Sequence, residues 1–177
     1  MPRCTRTRAR SCCSWAASSG SGASGTTRAG STGTCSTTPR PAVITARCAI
    51  SYELNRTLRA HPALHQIDDH WDGFEWIDYA DVEQSVLAYA RHAKERVNHV
   101  VAIANYTPVT RTAYRVGVPG AGPYAEILNS DARAWGGSGV SNPSPLPTEP
   151  IVWQGQQQSL VLTLPPLSVL YLAPVPS

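Results

Sequence analysis

Residues 159–164 read Ser-Leu-Val-Leu-Thr-Leu, and their alternation decides the fold. Leu160, Leu162 and Leu164 fall on one face, and Ser159, Val161 and Thr163 on the other. A period of two is what a half-buried β-strand needs, because successive side chains point to opposite faces. Pro165-Pro166 stops the run, and a second apolar run, Ser-Val-Leu-Tyr-Leu-Ala, follows at 168–173.

Working back from this pair, five more short apolar runs are separated by turn residues. They are 74–79, 85–93, 99–107, 112–118 and 124–129. Pro119-Gly120 and Gly122-Pro123 punctuate them, and residues 131–150 form a Gly-, Ser- and Pro-rich loop. Five to seven short strands in roughly 100 residues predict an all-β fold, an antiparallel β-sandwich. Upstream, Ile50, Leu54, Leu58 and Leu64 recur at helical spacing, with Pro62 limiting the run. One helix is therefore expected before the sandwich.

The first 48 residues have another character. They hold all five cysteines and seven arginines, with no acidic residue and almost no large apolar group. Such a stretch buries too little apolar area to offset about 1–2 kcal/mol of backbone entropy per residue. The expected organisation is a disordered segment at 1–48, a helix and linker at 49–72, and a sandwich at 73–177.

Charge divides the same way. Residues 1–52 carry +7, while residues 53–177 carry eight basic and twelve acidic groups, net −4. The overall +3 sums two unlike pieces and gives no basic surface interleaved with aromatics, so no nucleic-acid partner is expected. No run of about 18 apolar residues exists, so no membrane span is expected. The N-terminus lacks the continuous apolar stretch of a signal peptide. With the folded part free of cysteine, a reducing cytoplasm is the expected compartment.

Catalytic patterns are missing. Asp68, Asp69, Asp72 and Glu75 lie near Gly73, but their spacing matches no calcium loop, and a solvated acidic turn is expected. The five histidines show no zinc spacing. No metal, no cofactor and no catalytic residue is assigned. The aromatics carry more information. Trp71, Trp76, Trp135 and Trp153, with Tyr79, Tyr114 and Tyr124, lie in or beside expected loops. An indole can stack on the C–H face of a sugar and keep a polar handle, although core packing accounts for many such rings. Trp135, Trp76 and Trp71 are the candidate sugar-binding residues, with Trp135 first.

The strings Glu-Leu-Asn-Arg-Thr-Leu-Arg at 53–59 and Gly-Phe-Glu-Trp-Ile-Asp at 73–78 resemble glycogen branching enzymes. So do Asn105-Tyr106-Thr107-Pro108, Tyr114-Arg115-Val116-Gly117-Val118-Pro119, Leu128-Asn129-Ser130-Asp131 and Leu164-Pro165-Pro166, which follow in family order. The resemblance covers about residues 50–175. It implies a last barrel helix and then the C-terminal all-β domain of these α-amylase-type transferases. Their catalytic carboxylates lie on an upstream barrel, and none of those motifs occurs here. The implied role is accessory: a fragment that supports a catalytic barrel, contacts α-glucan or glycogen, and is inactive alone. Two alternatives stand beside it, a free-standing carbohydrate-binding module and the tail of another α-amylase relative.

The first 48 residues depart from the family in a readable way. The family segment before the last helix resembles Lys-Leu-Leu-Phe-Met-Gly-Gly-Glu-Phe-Gly-Gln-Trp-Arg-Glu-Trp-Asn-His. Written in GC-rich codons and read one base late, it gives the sixteen residues Ser11 to Thr26. Leu-Asp-Trp-His-Leu-Leu-Asp-Asp-Pro, treated alike, gives Ser31 to Thr38. Residues 1–48 are therefore expected to be an out-of-frame product. A transit peptide would explain the composition but not the order.

Overall fold

The structure is a computed structural model that describes residues 41–175, with side chains from Cys48 onward. The chain divides between Ile44 and Thr45. Of the first unit only the opening turn of a helix is described, and everything else belongs to the second.

Helix α1 spans Pro41–Ala60. It starts upstream of Ile50, where the apolar spacing begins, so residues 41–48 are helical rather than without structure. Proline is tolerated in a first helical turn because its missing N–H would have no partner there. The rest of the segment expected to be disordered lies outside the described residues. At the other end the His61 amide closes on the Thr57 carbonyl at 3.1 Å. Pro62 then opens a short 3₁₀ turn, Pro62–Leu64.

Seven strands form, the upper end of the expected five to seven: β1 Phe74–Asp78, β2 Val86–His92, β3 His99–Asn105, β4 Arg111–Val118, β5 Tyr124–Asn129, β6 Gln158–Leu164 and β7 Ser168–Pro174. They make a five-stranded sheet in the order β1-β2-β3-β7-β5 and a two-stranded sheet, β4-β6. Every strand pairing is antiparallel.

The core lies between the sheets. Val86, Ala88, Val101, Ile103, Leu170 and Leu172 of the larger sheet join Val116, Val118, Leu160, Leu162 and Leu164 of the smaller. The leucines of β6 are the ones the alternation assigned inward. Strand β3 is buried along its whole length, on both faces. Its outer face carries a second cluster, in which Ala63 of the 3₁₀ turn meets Ala93, Val100 and Ala173.

A bulge between Trp76 and Asp78 shapes the edge strand β1. Phe74 and Trp76 lie opposite Arg91 and Tyr89, the partly exposed positions of β2. Past the bulge, Ile77 enters the core and Asp78 pairs with Ala88, a core-facing position. One extra residue thus re-aims the strand.

Candidate functional site

The alternation of β1 and its register with β2 build an aromatic platform on the outer face of the larger sheet. The Trp76 ring meets Phe74 edge-on at 4.9 Å between centroids, and Phe74 stacks on Tyr89 at 5.2 Å. Trp76 also meets Tyr89 and Tyr79, each at 6.0 Å. These separations suit edge-to-face and offset contacts, which hold the rings in place. Trp76 is 50% exposed and Tyr79 is exposed with it. The Tyr89 hydroxyl is pushed up to about 12, by burial first and by the neighbouring Tyr171 hydroxyl, so it stays a neutral hydrogen-bonding group. Neither Trp76 nor Trp71 spends its indole N–H on a protein partner among the described residues. An exposed ring with a free N–H above a fixed aromatic base can take the apolar face of a sugar and bond one hydroxyl.

Trp71 lies in the 3₁₀ turn Trp71–Gly73 just before β1. It is 77% exposed, and its ring lies 5.4 Å from the His70 ring. Trp135 lies elsewhere. It follows β5 in the 3₁₀ turn Arg133–Trp135, and β5 is the opposite edge of the five-stranded sheet from β1. Four strand spacings of about 4.8 Å separate those edges, roughly 19 Å. Its ring is half-buried, and its N–H donates to the Asn129 carbonyl at 2.9 Å. The three tryptophans named from the sequence therefore do not form one site. Tyr114 and Tyr124, grouped with the loop aromatics above, are core residues. Tyr89 joins the platform although nothing in its own surroundings marked it, because only the register places it beside Trp76.

Glu75, Asp68 and Asp72 have structural partners. Glu75 faces inward, with Oε2 at 2.9 Å from His92 Nε2 and Oε1 accepting from Gln156 Nε2 at 2.7 Å. Burial pushes its carboxyl up, but those two hydrogen bonds, together with the charges of His92 and Arg96, hold it below the usual range. Asp68 pairs with Arg91 at 2.8 Å, fastening the linker to β2. Asp72 lies 3.2 Å from His70. Among the described residues no group of three or more His, Cys, Asp or Glu is gathered to hold a metal. No helix among them is long and apolar enough to cross a membrane.

An antiparallel sandwich with an aromatic outer face defines the class of protein as an all-β module. The chain belongs to the family of α-amylase C-terminal all-beta domains, whose model matches residues 76–175. It is 50% identical over 124 residues to a 1,4-α-glucan branching enzyme of Rubrobacter xylanophilus, covering 70% of this chain and 17% of that one. It is also 50% identical over 122 residues to the 1,4-α-glucan branching enzyme of Cereibacter sphaeroides, covering 69% and 17%. The enzyme of the same name from Aquifex aeolicus is 45% identical over 120 residues, covering 68% and 19%. The chain thus spans about a sixth of the length of these relatives.

Proposed function

We propose that this chain is the C-terminal all-β part of a 1,4-α-glucan branching enzyme and that it serves glycogen biosynthesis by supporting the catalytic barrel and holding α-glucan. The observation that carries the reading is the 50% identity to branching enzymes across 70% of the chain. Trp76 is the principal glucan contact, on the platform of Phe74, Tyr79 and Tyr89, and Trp71 extends it. Trp135 is a separate, weaker contact on the far edge, since part of its ring is already covered. The groove between Leu54, Leu58, Phe74, Tyr89 and Tyr171, about 370 Å³, is the surface offered to the barrel. Residues 49–72 act as the last barrel-type helix and its linker, and the assembly works in the cytoplasm.

Branching breaks one α-1,4 linkage and forms an α-1,6 linkage. A retaining transfer of this kind needs two carboxyl groups about 5–5.5 Å apart across the scissile bond. No such pair is assigned here, so the chain contributes binding and not chemistry. The test incubates purified chain with amylose and follows both the α-1,6 anomeric signal by NMR and retardation of the chain in a glycogen gel. Retardation without new α-1,6 linkages is expected. Formation of α-1,6 linkages would overturn the accessory role, and free migration through glycogen would overturn the glucan-holding role.

A further inference from the structure

A cleft among the described residues lies on the other side of β1 from Trp76, against β4. It is open, holds about 740 Å³, and is lined among others by Asp78, Asp81, Arg111, Tyr114, Trp153 and Gln154. Its volume falls within the 300–1,000 Å³ typical of ligand sites.

The cleft wall is built rigidly. Trp153 and Gln156 exchange backbone hydrogen bonds at 3.0 and 2.9 Å across a two-residue turn. Gln154 and Gly155 hold φ of 51° and 79° there, the left-handed pair that a tight hairpin turn requires. The hairpin sits directly on β4, since a Cβ at Gly117 would meet the Trp153 carbonyl at 2.4 Å. Gln154 ties three elements together: its Oε1 accepts from the Gly117 amide at 3.0 Å, and its Nε2 donates to Asp78. Tyr114 donates to Asp81 at 3.2 Å, which fixes the opposite wall.

On this frame Trp153 stands 45% exposed, and its indole N–H has no protein partner among the described residues. Arg111 uses Nη2 on the Gln84 carbonyl at 3.4 Å and leaves Nη1 without a protein partner among them. Arg115 is already paired with Glu149 at 2.6 Å, which leaves Asp78 and Asp81 against Arg111 alone. A slightly negative cleft gives no grip on a phosphate. A fixed aromatic ring, two spare donors and carboxylates with lone pairs to accept from hydroxyls suit a neutral polyhydroxyl chain.

We infer that the Trp153 cleft is a second α-glucan-binding site, which together with Trp76 straddles the edge strand β1. The inference rests on the glucan reading above. The two contacts work independently, one on each side of the strand, so glycogen is held at two points and avidity exceeds either site alone.

Maltoheptaose titrated into the ¹⁵N-labelled full chain tests this, with indole N–H signals assigned from single Trp→Phe variants. In a Trp76→Ala background the Trp153 signal shifts and saturates. Trp153→Ala weakens retardation by glycogen about 3- to 10-fold, the range expected for one aromatic contact, whereas Trp153→Phe retains most of it. The double variant Trp76→Ala, Trp153→Ala is retarded less than either single variant, and keeps only the weak contact of Trp135. If the Trp76 signal responds while the Trp153 signal is silent, the second site is refuted and the glucan reading survives. If neither responds, both fall. An equal Trp153 shift with a β-1,4-glucan oligomer would refute the α-glucan class.

Discussion

Asn105, the last residue of β3, donates its side-chain amide to the carbonyl of Pro165, 2.8 Å away and sixty residues on in the chain. The same amide donates to Val109 O at 2.9 Å, while its Oδ1 accepts from the Thr107 amide at 3.0 Å and hydroxyl at 2.7 Å. One buried side chain thus closes the β3–β4 loop on itself and pins it to the turn between β6 and β7. Leu167 N completes the seam by donating to Thr107 O at 2.8 Å. Removing a buried amide leaves its partners unpaired, at a cost of about 1–3 kcal/mol for a group of this kind. Asn105→Ala is expected to lower stability by about 2–3 kcal/mol in urea unfolding. A loss under about 0.5 kcal/mol would show the seam to be dispensable.

Acid should weaken the fold in two steps. His99 is buried, with Nδ1 at 3.2 and 3.1 Å from the carbonyls of Arg96 and Val97 and Nε2 at 2.6 Å from the Tyr124 hydroxyl. Burial, with the charge of nearby His92, lowers its pKa below the ordinary 6.5, although the carbonyls and Glu75 oppose this. The unfolded chain therefore takes up the proton first, and stability falls as pH drops below 6.5 until the native value is reached. Glu75 is held below its ordinary 4.5, so its contribution is present above that value and is lost as pH falls through the native value. Urea midpoints measured from pH 8 to pH 2 should show both windows. Burial also lowers His61, so His99→Gln should shrink the upper window without abolishing it and leave the lower one in place; an unchanged upper window would contradict the assignment.

Leu54 and Leu58 are each 42% exposed and share a groove with Phe74, Tyr89 and Tyr171. Exposed apolar patches favour self-association. Light scattering of the 177-residue chain is expected to show concentration-dependent association, reduced by Leu58→Gln. A monodisperse wild type would favour a free-standing module over a barrel-supporting one.

The out-of-frame reading of residues 1–48 concerns the gene. Sequenced DNA across codons 11–38, reread one base earlier, should give a barrel-like string beginning close to Lys-Leu-Leu-Phe-Met-Gly-Gly-Glu-Phe. Any unrelated translation in that frame refutes it.

Much of the fold was legible because alternation survives in short strands. Leu160, Leu162 and Leu164 needed nothing beyond their spacing to be assigned inward, and all seven strands formed where apolar runs met turn residues. The helix start was not legible. Residues 41–49 lack an apolar face of helical period, and only Pro41, acceptable in a first turn, hinted at it. The surface was harder still. Trp135 reads like Trp76 in sequence, yet the Asn129 carbonyl takes its indole N–H. That carbonyl is six residues back, across a turn whose closure requires glycine at 137, where a Cβ would meet Asp131 O at 2.1 Å. Tyr89 and the cleft around Trp153 depend on strand register and on a hairpin seated against β4. Neither is a local property of the chain.

The proposed glucan contact at Trp76 is open to direct test. The most direct measurement is the dissociation constant of the full chain for glycogen, for wild type and Trp76→Ala, with Trp135→Ala alongside. Trp76→Ala is expected to weaken binding about 3- to 10-fold, the value of one lost aromatic contact, and Trp135→Ala by less. Equal affinities for wild type and Trp76→Ala would contradict the claim.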